Sequence, residues 1–522
     1  MEKKLYEWQE KCLKRWFANN GRGMVQAATG AGKTMLALTA AKRLERKLGQ
    51  ELLVRIVVPN GGLMRQWEHA LRKFLESETG EERDPVDFRG QIGLCGGGQK
   101  ASSDHKYMIF VINSARYELA RQLLAELREG KRVMLIADEC HHYGSNQNRL
   151  IFEFLPFIEQ YKDNYFSLGL SATLPAGQEK TYLESVLGRK IYNYGISEAS
   201  RSQTVCRYDV FHIRVNFKKE ERDAYDEISD KMTVLYRKIL KLYPSLKGMN
   251  QKEQFELLGR LSGDKNPKIA KAASGYMMLT YKRKSLVCLA AERIACVCEL
   301  IKRLDTGEKI IIFGERISQA DELYRILQER YPGKAGRYHS KMGQQANKNI
   351  LDRFRQGEIR ILISCKAIDE GVDVPDASVG IILSGTSGHR QRIQRLGRII
   401  RNAEGKEGAS LYYLHIEDTS EDSCYLPNVE KSRIFELAYQ QKTGDFSNTV
   451  YDEAAGELVE GIKLRGADER MVQEMERCLR MGSVRSDWRR ERGWLEAKIE
   501  KAEEVRERNY WICMKRIASW QL

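Results

Sequence analysis

The sequence predicts an α/β protein with two tandem parallel-sheet domains, a helical insertion between them and a helical C-terminal region. Short apolar runs alternate with helical stretches over residues 1–205, and the same alternation returns over residues 306–420. Strands that alternate with helices form parallel sheets with helices on their faces. Residues 206–305 show mainly helical periodicity, and residues 421–522 do so again.

The strands of each predicted domain are short runs rich in Val, Ile and Leu that end at loop residues. In the first domain these runs are residues 23–28, 53–58, 107–112, 133–137 and 165–170, with a helix over residues 34–48. In the second domain they are residues 309–313, 359–364, 379–384 and 409–416.

Composition narrows the class of protein before any motif is considered. A chain of 522 residues is long enough for about three or four domains. Its 87 Lys and Arg against 72 Asp and Glu give a net charge of +15, which favours nucleic acid over an acidic membrane as partner. No apolar stretch reaches the ~20 residues of a membrane span, and the N-terminus lacks a secretory pattern. The 11 cysteines form no Cys-x-x-Cys pair, so we expect a reducing, cytoplasmic setting without a cysteine-bound metal.

Residues 27–34, Ala-Ala-Thr-Gly-Ala-Gly-Lys-Thr, match a phosphate-binding loop with Ala in place of the first Gly. The glycines let backbone N–H groups face phosphates without obstruction by a Cβ atom. Lys33 would neutralise the β- and γ-phosphates, and Thr34 would place its hydroxyl on Mg²⁺. The segment follows an apolar strand and opens a helix, a context that an ordinary Gly-rich turn lacks. The residues predicted to contact the nucleotide here are Thr29, Gly30, Ala31, Gly32, Lys33 and Thr34.

Two carboxylates follow the buried run 133–137. At the carboxyl end of a parallel strand, side chains meet in the ligand crevice, so Asp138 can hold Mg²⁺ and Glu139 can polarise the attacking water. Alone, such a pair is ordinary polar surface. With the phosphate loop in the same chain it predicts nucleotide hydrolysis.

An arginine-bearing helix lies late in the chain, at residues 394–401, Gln-Arg-Leu-Gly-Arg-Ile-Ile-Arg. Arg398 and Arg401 would reach the γ-phosphate, where a bidentate guanidinium stabilises the charge of a transferring phosphoryl group. The alternative is a solvated basic helix face. Gly397 between the arginines and the phosphate loop upstream favour the catalytic interpretation.

These ordered motifs resemble the superfamily-two helicases and translocases of the DEAD/DEAH-like group, with Asp-Glu-Cys-His in the box position. The XPB-like and restriction-subunit-like branch is the most similar, and the resemblance covers about residues 1–418. It implies two RecA-like domains that bind ATP and Mg²⁺ between them and close on the nucleotide.

The resemblance also implies roles for residues that composition and spacing do not single out. Gln9 would read the adenine edge. Ser171 and Thr173, within Ser-Ala-Thr, would couple hydrolysis to domain movement. His141 would bridge the two domains, although a local contact is the alternative. Gln394 stands where DEAD-box relatives usually carry His, which puts its link to His141 in question.

Nucleic-acid contacts are implied at further motif positions. Pro59 and Asn60, together with Gln66-Trp67, resemble the first such motif, and Ser114 and Ser364 fall where backbone phosphates are contacted. Gly371 and Asp373, in Gly-Val-Asp-Val-Pro, would face the nucleotide and its sugar.

The predicted function is an ATP-dependent helicase or translocase, with DNA favoured over RNA as the nucleic acid. The box is not Asp-Glu-Ala-Asp and the inter-domain segment is long and helical, which points away from RNA-duplex melting. The alternatives are an RNA helicase and an ATP-gated sensor or clamp in a restriction or antiphage defence complex. The C-terminal Trp residues suit a helical bundle or an effector-protein interface slightly better than nucleic-acid stacking. The basic run 281–284 could grip phosphates or be a solvated helix face.

Overall fold

The computed structural model describes residues 5–79, 90–102, 104–365, 377–384, 389–401, 406, 408–419, 421, 434–482, 484–485, 487, 492–502 and 505–520. Two eight-stranded, mostly parallel sheets with their helices form two lobes. The α/β fold with two tandem parallel-sheet domains, predicted from the alternation of strands and helices, is confirmed.

The first lobe comprises the described part of residues 5–206. Its strands are β1 (Arg22–Ala27), β2 (Leu52–Val58), β3 (Ile92–Gly96), β4 (Gln99–Lys100), β5 (Tyr107–Val111), β6 (Arg132–Asp138), β7 (Tyr165–Ser171) and β8 (Lys190–Tyr194). Its helices are α1 (Glu7–Ala18), α2 (Lys33–Leu48), α3 (Gly61–Thr79), α4 (Ile112–Arg128), α5 (Gly177–Leu187) and α6 (Ile196–Arg201), with 3₁₀ helices at Cys140–Gly144, Asn148–Phe152 and Leu155–Tyr161. The strand order is β4-β3-β5-β2-β6-β7-β1-β8, and only β3 and β4 pair antiparallel.

A helical insertion, residues 219–288, leaves the second lobe after its first strand. It contains α7 (Lys219–Leu242), a 3₁₀ helix at Pro244–Gly248, α8 (Gln251–Leu261) and α9 (Pro267–Cys288). These helices bury a small apolar core of their own. In the basic run of α9, Lys284 pairs with the buried Glu315 at 3.1 Å and the Arg283 guanidinium lies over the Tyr225 ring, whereas Tyr281 and Lys282 are exposed. Arg283 and Lys284 therefore contact other residues of the protein, and Tyr281 and Lys282 remain exposed to solvent.

The second lobe comprises the described part of residues 207–218, 289–421 and 434–447. Its strands are β9 (Tyr208–Val215), β10 (Ile310–Gly314), β11 (Ala335–His339), β12 (Ile361–Cys365), β13 (Val379–Ile382), β14 (Ala409–Ile416), β15 (Ile434–Gln440) and β16 (Asp445–Ser447). Its helices are α10 (Glu292–Arg303), α11 (Ile317–Arg330), α12 (Gln344–Arg355) and α13 (His389–Ile399). The strand order is β11-β12-β10-β13-β14-β9-β15-β16.

Three strands of the second sheet come from stretches where the sequence predicts helices. β9 falls in residues 206–305, and β15 and β16 fall in residues 421–522. β9 pairs along its whole length with β14, from Tyr208 beside Ala409 to Val215 beside Ile416. β9 is part of the sheet because it pairs with β14, a strand much later in the chain. The local pattern of apolar residues does not reveal such a partner.

The C-terminal bundle follows, with α14 (Thr449–Leu464), α15 (Glu469–Gly482), α16 (Arg492–Lys501) and α17 (Val505–Trp520). Trp511 is 1% exposed and packs edge-on against Trp494 at 5.4 Å, so it anchors the bundle and is not open to stack on nucleic acid. Lys498 Nζ contacts Asp305 Oδ2 of the second lobe at 2.6 Å. Trp488 lies outside the described residues. None of the described helices is both long and apolar enough to span a membrane.

A buried ion pair fixes one side of the first lobe. Arg55 of β2 is fully buried and donates to the Glu126 carboxylate of α4 from Nη2 at 2.6 Å and from Nε at 3.0 Å. Its Nη1 donates to the carbonyls of His105 and Lys106 at 3.0 and 3.1 Å. Every nitrogen of the guanidinium is thus engaged where no water can replace a lost partner.

We predict that Glu126→Gln lowers the free energy of unfolding of the first lobe by about 3 kcal/mol, because it leaves the Arg55 charge buried without a counter-charge. Urea denaturation measures the change. Glu129→Gln is the control: Glu129 is exposed, and its pair with Lys131 is a surface pair, so the loss should stay below about 0.5 kcal/mol. Equal losses in the two variants would contradict the prediction.

Candidate functional site

The candidate site is built on three neighbouring strands of the first lobe. β6, β7 and β1 lie side by side, and their carboxyl ends meet at one edge of the sheet, where open α/β sheets bind ligands. The loop 28–32 follows β1, Asp138 ends β6 and Ser171 ends β7. Motifs that are far apart in the sequence therefore come together in one crevice.

The phosphate loop has a conformation that its glycines permit. Gly30 (φ 85°) and Gly32 (φ 88°) lie in the left-handed region, where a Cβ atom would be strained. Lys33 opens α2, and its Nζ donates to the carbonyl of Ala27 at 3.1 Å, which keeps the ammonium over the loop. Thr34 follows in the first turn of α2, where free N–H groups and the helix dipole favour an anion.

Gln9 of α1 lies directly against this loop. Its Nε2 donates to the carbonyl of Gly32 at 2.9 Å, and its Oε1 accepts from the Tyr6 backbone N–H at 2.9 Å. Tyr6 is a residue that sequence reasoning missed. Tyr6 is 49% exposed and its ring lies 3.9 Å from the point where a Cβ on Gly32 would stand, so the ring borders the phosphate loop beside Gln9. An aromatic residue three positions before Gln9 was the available signal.

A tryptophan holds the first carboxylate of the acidic box. Asp138 Oδ2 accepts from Trp67 Nε1 at 2.7 Å, and Asp138 Oδ1 accepts from the Glu139 backbone N–H at 3.0 Å. Trp67 is 1% exposed, so its side chain is used inside the protein, and the nucleic-acid contact that the resemblance implies for its motif stays a prediction. The indole lies on the inner face of α3 and orients the group expected to hold the metal ion, as outer partners of metal ligands do.

The two carboxylates of the box differ in their tendency to ionise. Burial, followed by the charge of Glu139, raises the pKa of Asp138, while Trp67 and Lys33 act against this rise. Burial would also raise the pKa of Glu139, but its hydrogen bond with His141 and the charge of Lys33 outweigh burial and hold that pKa below its usual range. Glu139 is therefore ionised at neutral pH, as a group that accepts a hydrogen bond from water requires.

His141 joins the acidic box to the Ser-Ala-Thr segment. Its Nδ1 lies 2.8 Å from Ser171 Oγ and 3.4 Å from Glu139 Oε2. Because Ser171 Oγ donates to the carbonyl of Thr173 at 2.6 Å, it accepts from His141, which makes Nδ1 the protonated ring nitrogen. The predicted bridge from His141 to the second lobe is not the contact found, since the 3₁₀ turn after Glu139 directs the ring towards β7. Gln394 is buried in α13.

The second lobe reaches the phosphate loop through α13. A Cβ placed on Gly397 would lie 2.2 Å from Thr29 Cβ, and one placed on Gly30 would lie 3.0 Å from Arg401 Cγ. The two lobes therefore approach each other as closely as glycine allows. Just beyond α13, Arg401 forms an antiparallel bridge with Val205, which holds the chain at this position.

Arg398 lies in the last turn of α13, three positions before Arg401. Burial raises the pKa of the Tyr338 phenol, and the charges of Arg65 and Arg398 oppose that rise. Arg65 belongs to α3 of the first lobe and Tyr338 to β11 of the second. Cations from the two lobes therefore lie close enough to the same phenol to act on it electrostatically.

Three residues assigned to nucleic-acid contacts, Pro59, Asn60 and Ser114, lie where first-lobe strands are followed by helices. Pro59 follows β2, and Asn60 Oδ1 accepts from the backbone N–H groups of Gly62 and Leu63 at 2.9 and 3.1 Å, which caps α3. Ser114 lies in the first turn of α4. The side-chain amide oxygen of Asn60 is therefore occupied by hydrogen bonds within the protein.

The second-lobe positions are less accessible. Ser364 is 1% exposed in β12, so its side chain does not reach a phosphate in this conformation. Gly371 and Asp373 lie outside the described residues, and their predicted contacts with the nucleotide and sugar stay predictions.

The residues in the crevice fit a nucleotide with Mg²⁺. Among the described residues, Thr29 Oγ1 is buried without a hydrogen-bond partner, beside glycines whose missing side chains leave room for phosphate. Thr34 and Asp138 supply the hydroxyl and carboxylate oxygens that Mg²⁺ prefers. Lys33 supplies a fixed positive charge.

Comparisons with known families agree with this geometry. The family model described as the res subunit of type III restriction enzymes matches residues 2–176, and the helicase conserved C-terminal domain matches residues 292–403. The chain belongs to the superfamily-two helicases. The two matched segments contain the two halves of the crevice, so this helicase is an ATP-hydrolysing enzyme.

Relatives of this helicase are similar over most of its length. The "DNA 3'-5' translocase XPB2" of Sulfurisphaera tokodaii is 28% identical over 403 residues, which are 77% of this chain and 79% of that protein. The "General transcription and DNA repair factor IIH helicase/translocase subunit XPB2" of Arabidopsis thaliana is 22% identical over 83% of this chain. The helicase spans about half the length of the Arabidopsis relative, 50% of it.

Solved structures share the fold. The L327V variant of S. cerevisiae Dbp5 bound to RNA and ADP BeF3 superposes with a TM-score of 0.50 at 14% identity, covering 84% of this helicase and 90% of that chain. A fragment of a putative HsdR subunit of a type I restriction enzyme from Vibrio vulnificus superposes with a TM-score of 0.50 at 17% identity. The match covers 83% of this helicase and 68% of that chain. Both likenesses concern the two-lobed architecture alone.

We predict that Trp67→Phe raises the Mg²⁺ concentration needed for half-maximal ATP hydrolysis by about 10- to 100-fold, because Asp138 loses the donor that orients it. Titrating Mg²⁺ in an ATPase assay measures this shift. Trp16→Phe is the matched control: Trp16 is also fully buried, and its Nε1 donates to the carbonyl of Ser167 at 2.9 Å, away from the crevice. An unchanged Mg²⁺ requirement in Trp67→Phe would contradict the role of the indole.

We predict that Gly397→Ala lowers kcat for ATP hydrolysis by about 100-fold, since the added methyl group displaces α13, and misplacing a catalytic group by about 1 Å has an effect of this size. Nucleotide binding to the first lobe should persist, as measured with a fluorescent ATP analogue. Gly259→Ala in α8, where no atom lies within 4 Å of the added Cβ, should keep wild-type turnover. Wild-type turnover in Gly397→Ala would show that the close approach is not required.

Proposed function

We propose that this helicase is a Mg²⁺-dependent ATPase that moves along DNA. The observation that carries the proposal is the packing of α13 on the phosphate loop, Gly397 against Thr29, because it brings second-lobe arginines to a first-lobe nucleotide site. A site split in this way is complete only when the lobes meet. Binding and hydrolysis of ATP would close and open this contact in turn, which is the basis of stepping along a strand.

Each first-lobe residue has one role in the proposal. Lys33 binds the β- and γ-phosphates, and Thr34 and Asp138 hold Mg²⁺. Glu139 orients the attacking water and accepts a hydrogen bond from it. Bound Mg²⁺ supplies Lewis-acid stabilisation of the phosphate oxygens. The ionised state of Glu139, favoured by its hydrogen bond with His141 and the charge of Lys33, supports its assignment.

The second lobe supplies the positive charges that are proposed to face the γ-phosphate. Arg398 and Arg401 would bind the γ-phosphate and stabilise the negative charge that develops on the transferring phosphoryl group. An arginine in this role contributes on the order of 10³–10⁵ in rate. Their placement at the C-terminal end of α13, whose approach is fixed by Gly397, makes the rate depend on lobe closure.

DNA is the proposed nucleic acid. The relatives that match this chain over three quarters or more of its length carry names that describe DNA translocation or DNA repair. The net charge of +15 supplies the electrostatic attraction that any polynucleotide needs. Within the first lobe, the starts of α3 and α4 are the proposed contacts with the phosphate backbone, through Asn60 and Ser114.

Two alternatives remain distinct outcomes of experiment. An RNA helicase would have the same crevice, since ATP chemistry does not depend on the sugar of the polynucleotide. A sensor or clamp in a restriction or antiphage defence complex would hydrolyse ATP on binding but would not displace anything from the strand. No feature of the described residues favours either over a DNA motor.

An effector protein is proposed to attach at the C-terminal bundle. The bundle is tied to the second lobe by the Lys498–Asp305 pair and by Tyr412, whose hydroxyl donates to the carbonyl of Val484 at 3.0 Å. A partner bound there would move with the second lobe. Leu464 is 84% exposed at the end of α14 and is a candidate contact.

We predict that duplex DNA stimulates ATP hydrolysis by the purified helicase more than single-stranded DNA or RNA does. Lys33→Ala should abolish the activity, because the phosphates lose their fixed counter-charge. The assay measures phosphate release against the three polynucleotides. Lys47→Ala, an exposed lysine on the same helix, should leave hydrolysis unchanged.

Displacement of a third strand from duplex DNA separates a motor from a static clamp. Stimulation by RNA alone would replace the DNA assignment with an RNA helicase. Activity that survives Lys33→Ala would remove the assigned site.

A further inference from the structure

A chain of hydrogen bonds joins α4 to the acidic box through residues that the catalytic scheme does not use. Arg116, in the second turn of α4, donates to Asn148 Oδ1 from Nε at 3.0 Å and from Nη2 at 2.5 Å. Asn148 Nδ2 donates to the carbonyl of His142 at 2.6 Å. The backbone N–H of His142 donates to the carbonyl of Glu139 at 3.0 Å. Consecutive bonds thus connect α4 with the residue assigned to the attacking water.

The chemistry of Asn148 fixes its orientation. A guanidinium only donates, so it faces the amide oxygen, and the carbonyl of His142 faces the amide nitrogen. Rotating the amide by half a turn would set donor against donor at Arg116 and acceptor against acceptor at His142. Both side chains are half-buried, where such bonds are stronger than in open solvent. The connection therefore has one stable arrangement.

The two ends of this series of hydrogen bonds lie at the start of α4 and at the acidic box, where a small displacement of the backbone would affect binding or hydrolysis. At the α4 end, Ser114 is two positions from Arg116, in a first turn whose free N–H groups suit a phosphate, and Tyr117 is 71% exposed. At the other end, Glu139 has φ 46°, a left-handed conformation that a non-glycine residue keeps only when its neighbours hold it. Moving the carbonyl of His142 would shift the turn that holds Glu139.

We propose that Arg116 and Asn148 are positioning residues that make ATP hydrolysis depend on bound nucleic acid. A strand at the start of α4 fixes the first turns of that helix, and the hydrogen-bonded chain then holds the turn after Glu139 in the productive arrangement. The inference rests on the proposed function, because it requires a polynucleotide that stimulates hydrolysis. Neither side chain contacts the nucleotide, so the effect falls on kcat and not on KM for ATP.

The test is the ratio of kcat with saturating duplex DNA to kcat without DNA. Arg116→Ala and Asn148→Ala should each lower this ratio at least about fivefold, the lower end of typical coupling between sites. KM for ATP and the affinity for DNA should stay close to wild type. The double variant should be no worse than either single variant, because both remove one connection.

Two conservative variants separate positioning from loss of folding. Asn148→Asp keeps an acceptor for Arg116 but loses the donor to His142, so its ratio should fall as in Asn148→Ala. Arg116→Lys keeps a single donor and should give an intermediate ratio. Thermal melting of each variant shows whether it is folded. A wild-type ratio in Asn148→Asp or in Arg116→Lys overturns the inference.

Arg149→Ala is the matched control within the same loop. Arg149 Nε donates to the carbonyl of Gly144 at 2.9 Å and its guanidinium lies over the Tyr182 ring, but no bond joins it to α4 among the described residues. It should keep the wild-type ratio. If no polynucleotide stimulates the wild-type enzyme, the proposed function fails, and the inference with it. If the wild type is stimulated and Asn148→Ala keeps the full ratio, or Arg149→Ala loses as much, the inference alone is overturned.

Discussion

The close packing of α13 on the phosphate loop is the contact on which the rest of the structure depends. A Cβ on Gly397 would clash with the side chain of Thr29, and one on Gly30 would press on Arg401 Cγ, so the two glycines allow the lobes to lie this close together. Packed protein interiors resist compression and do not deform continuously. The two sheets therefore transmit a change at the crevice as movement of whole lobes. An active site divided in this way converts the presence of a nucleotide into a defined relative position of its two halves.

The strands that carry the motifs could be predicted from local sequence because each is a short, buried apolar run that ends in polar residues, as β6 is from Val133 to Asp138. The complete second sheet could not be predicted in this way. β9, Tyr208–Val215, lies next to a long helical stretch, and its neighbours β14 and β15 come some two hundred residues later. In β15, Phe435, Leu437 and Tyr439 alternate with Glu436, Ala438 and Gln440, but this short pattern lies in a region of mainly helical periodicity. Periodicity reports which face of an element is buried, but the identity of its partner depends on the whole chain.

The same limit separates the predicted part of the site from the rest. Lys33 and Glu139 carry their chemistry in residue type and spacing, so they could be assigned without a structure. The support of Asp138 by Trp67 could not, since an indole on the inner face of a helix gives no sign of its acceptor. His141 shows this most clearly. The sequence around the acidic box does not show whether its histidine forms a hydrogen bond within the first lobe or with the second. The 3₁₀ turn Cys140–Gly144 places the His141 ring beside Ser171 of the first lobe.

The acidic box is the place where these separate contacts act on one residue. The Tyr143 hydroxyl donates to the carbonyl of Asp138 at 2.7 Å, and His141, held by Ser171, lies 3.4 Å from the Glu139 carboxylate. A left-handed glutamate has an intrinsic conformational cost, so its position is the sum of what its neighbours impose. Weakening any one of them would allow Glu139 to leave the position in which it is proposed to orient the attacking water. Groups that never touch ATP thereby gain control over its hydrolysis, which is how contacts on the surface of the first lobe can govern chemistry in the crevice.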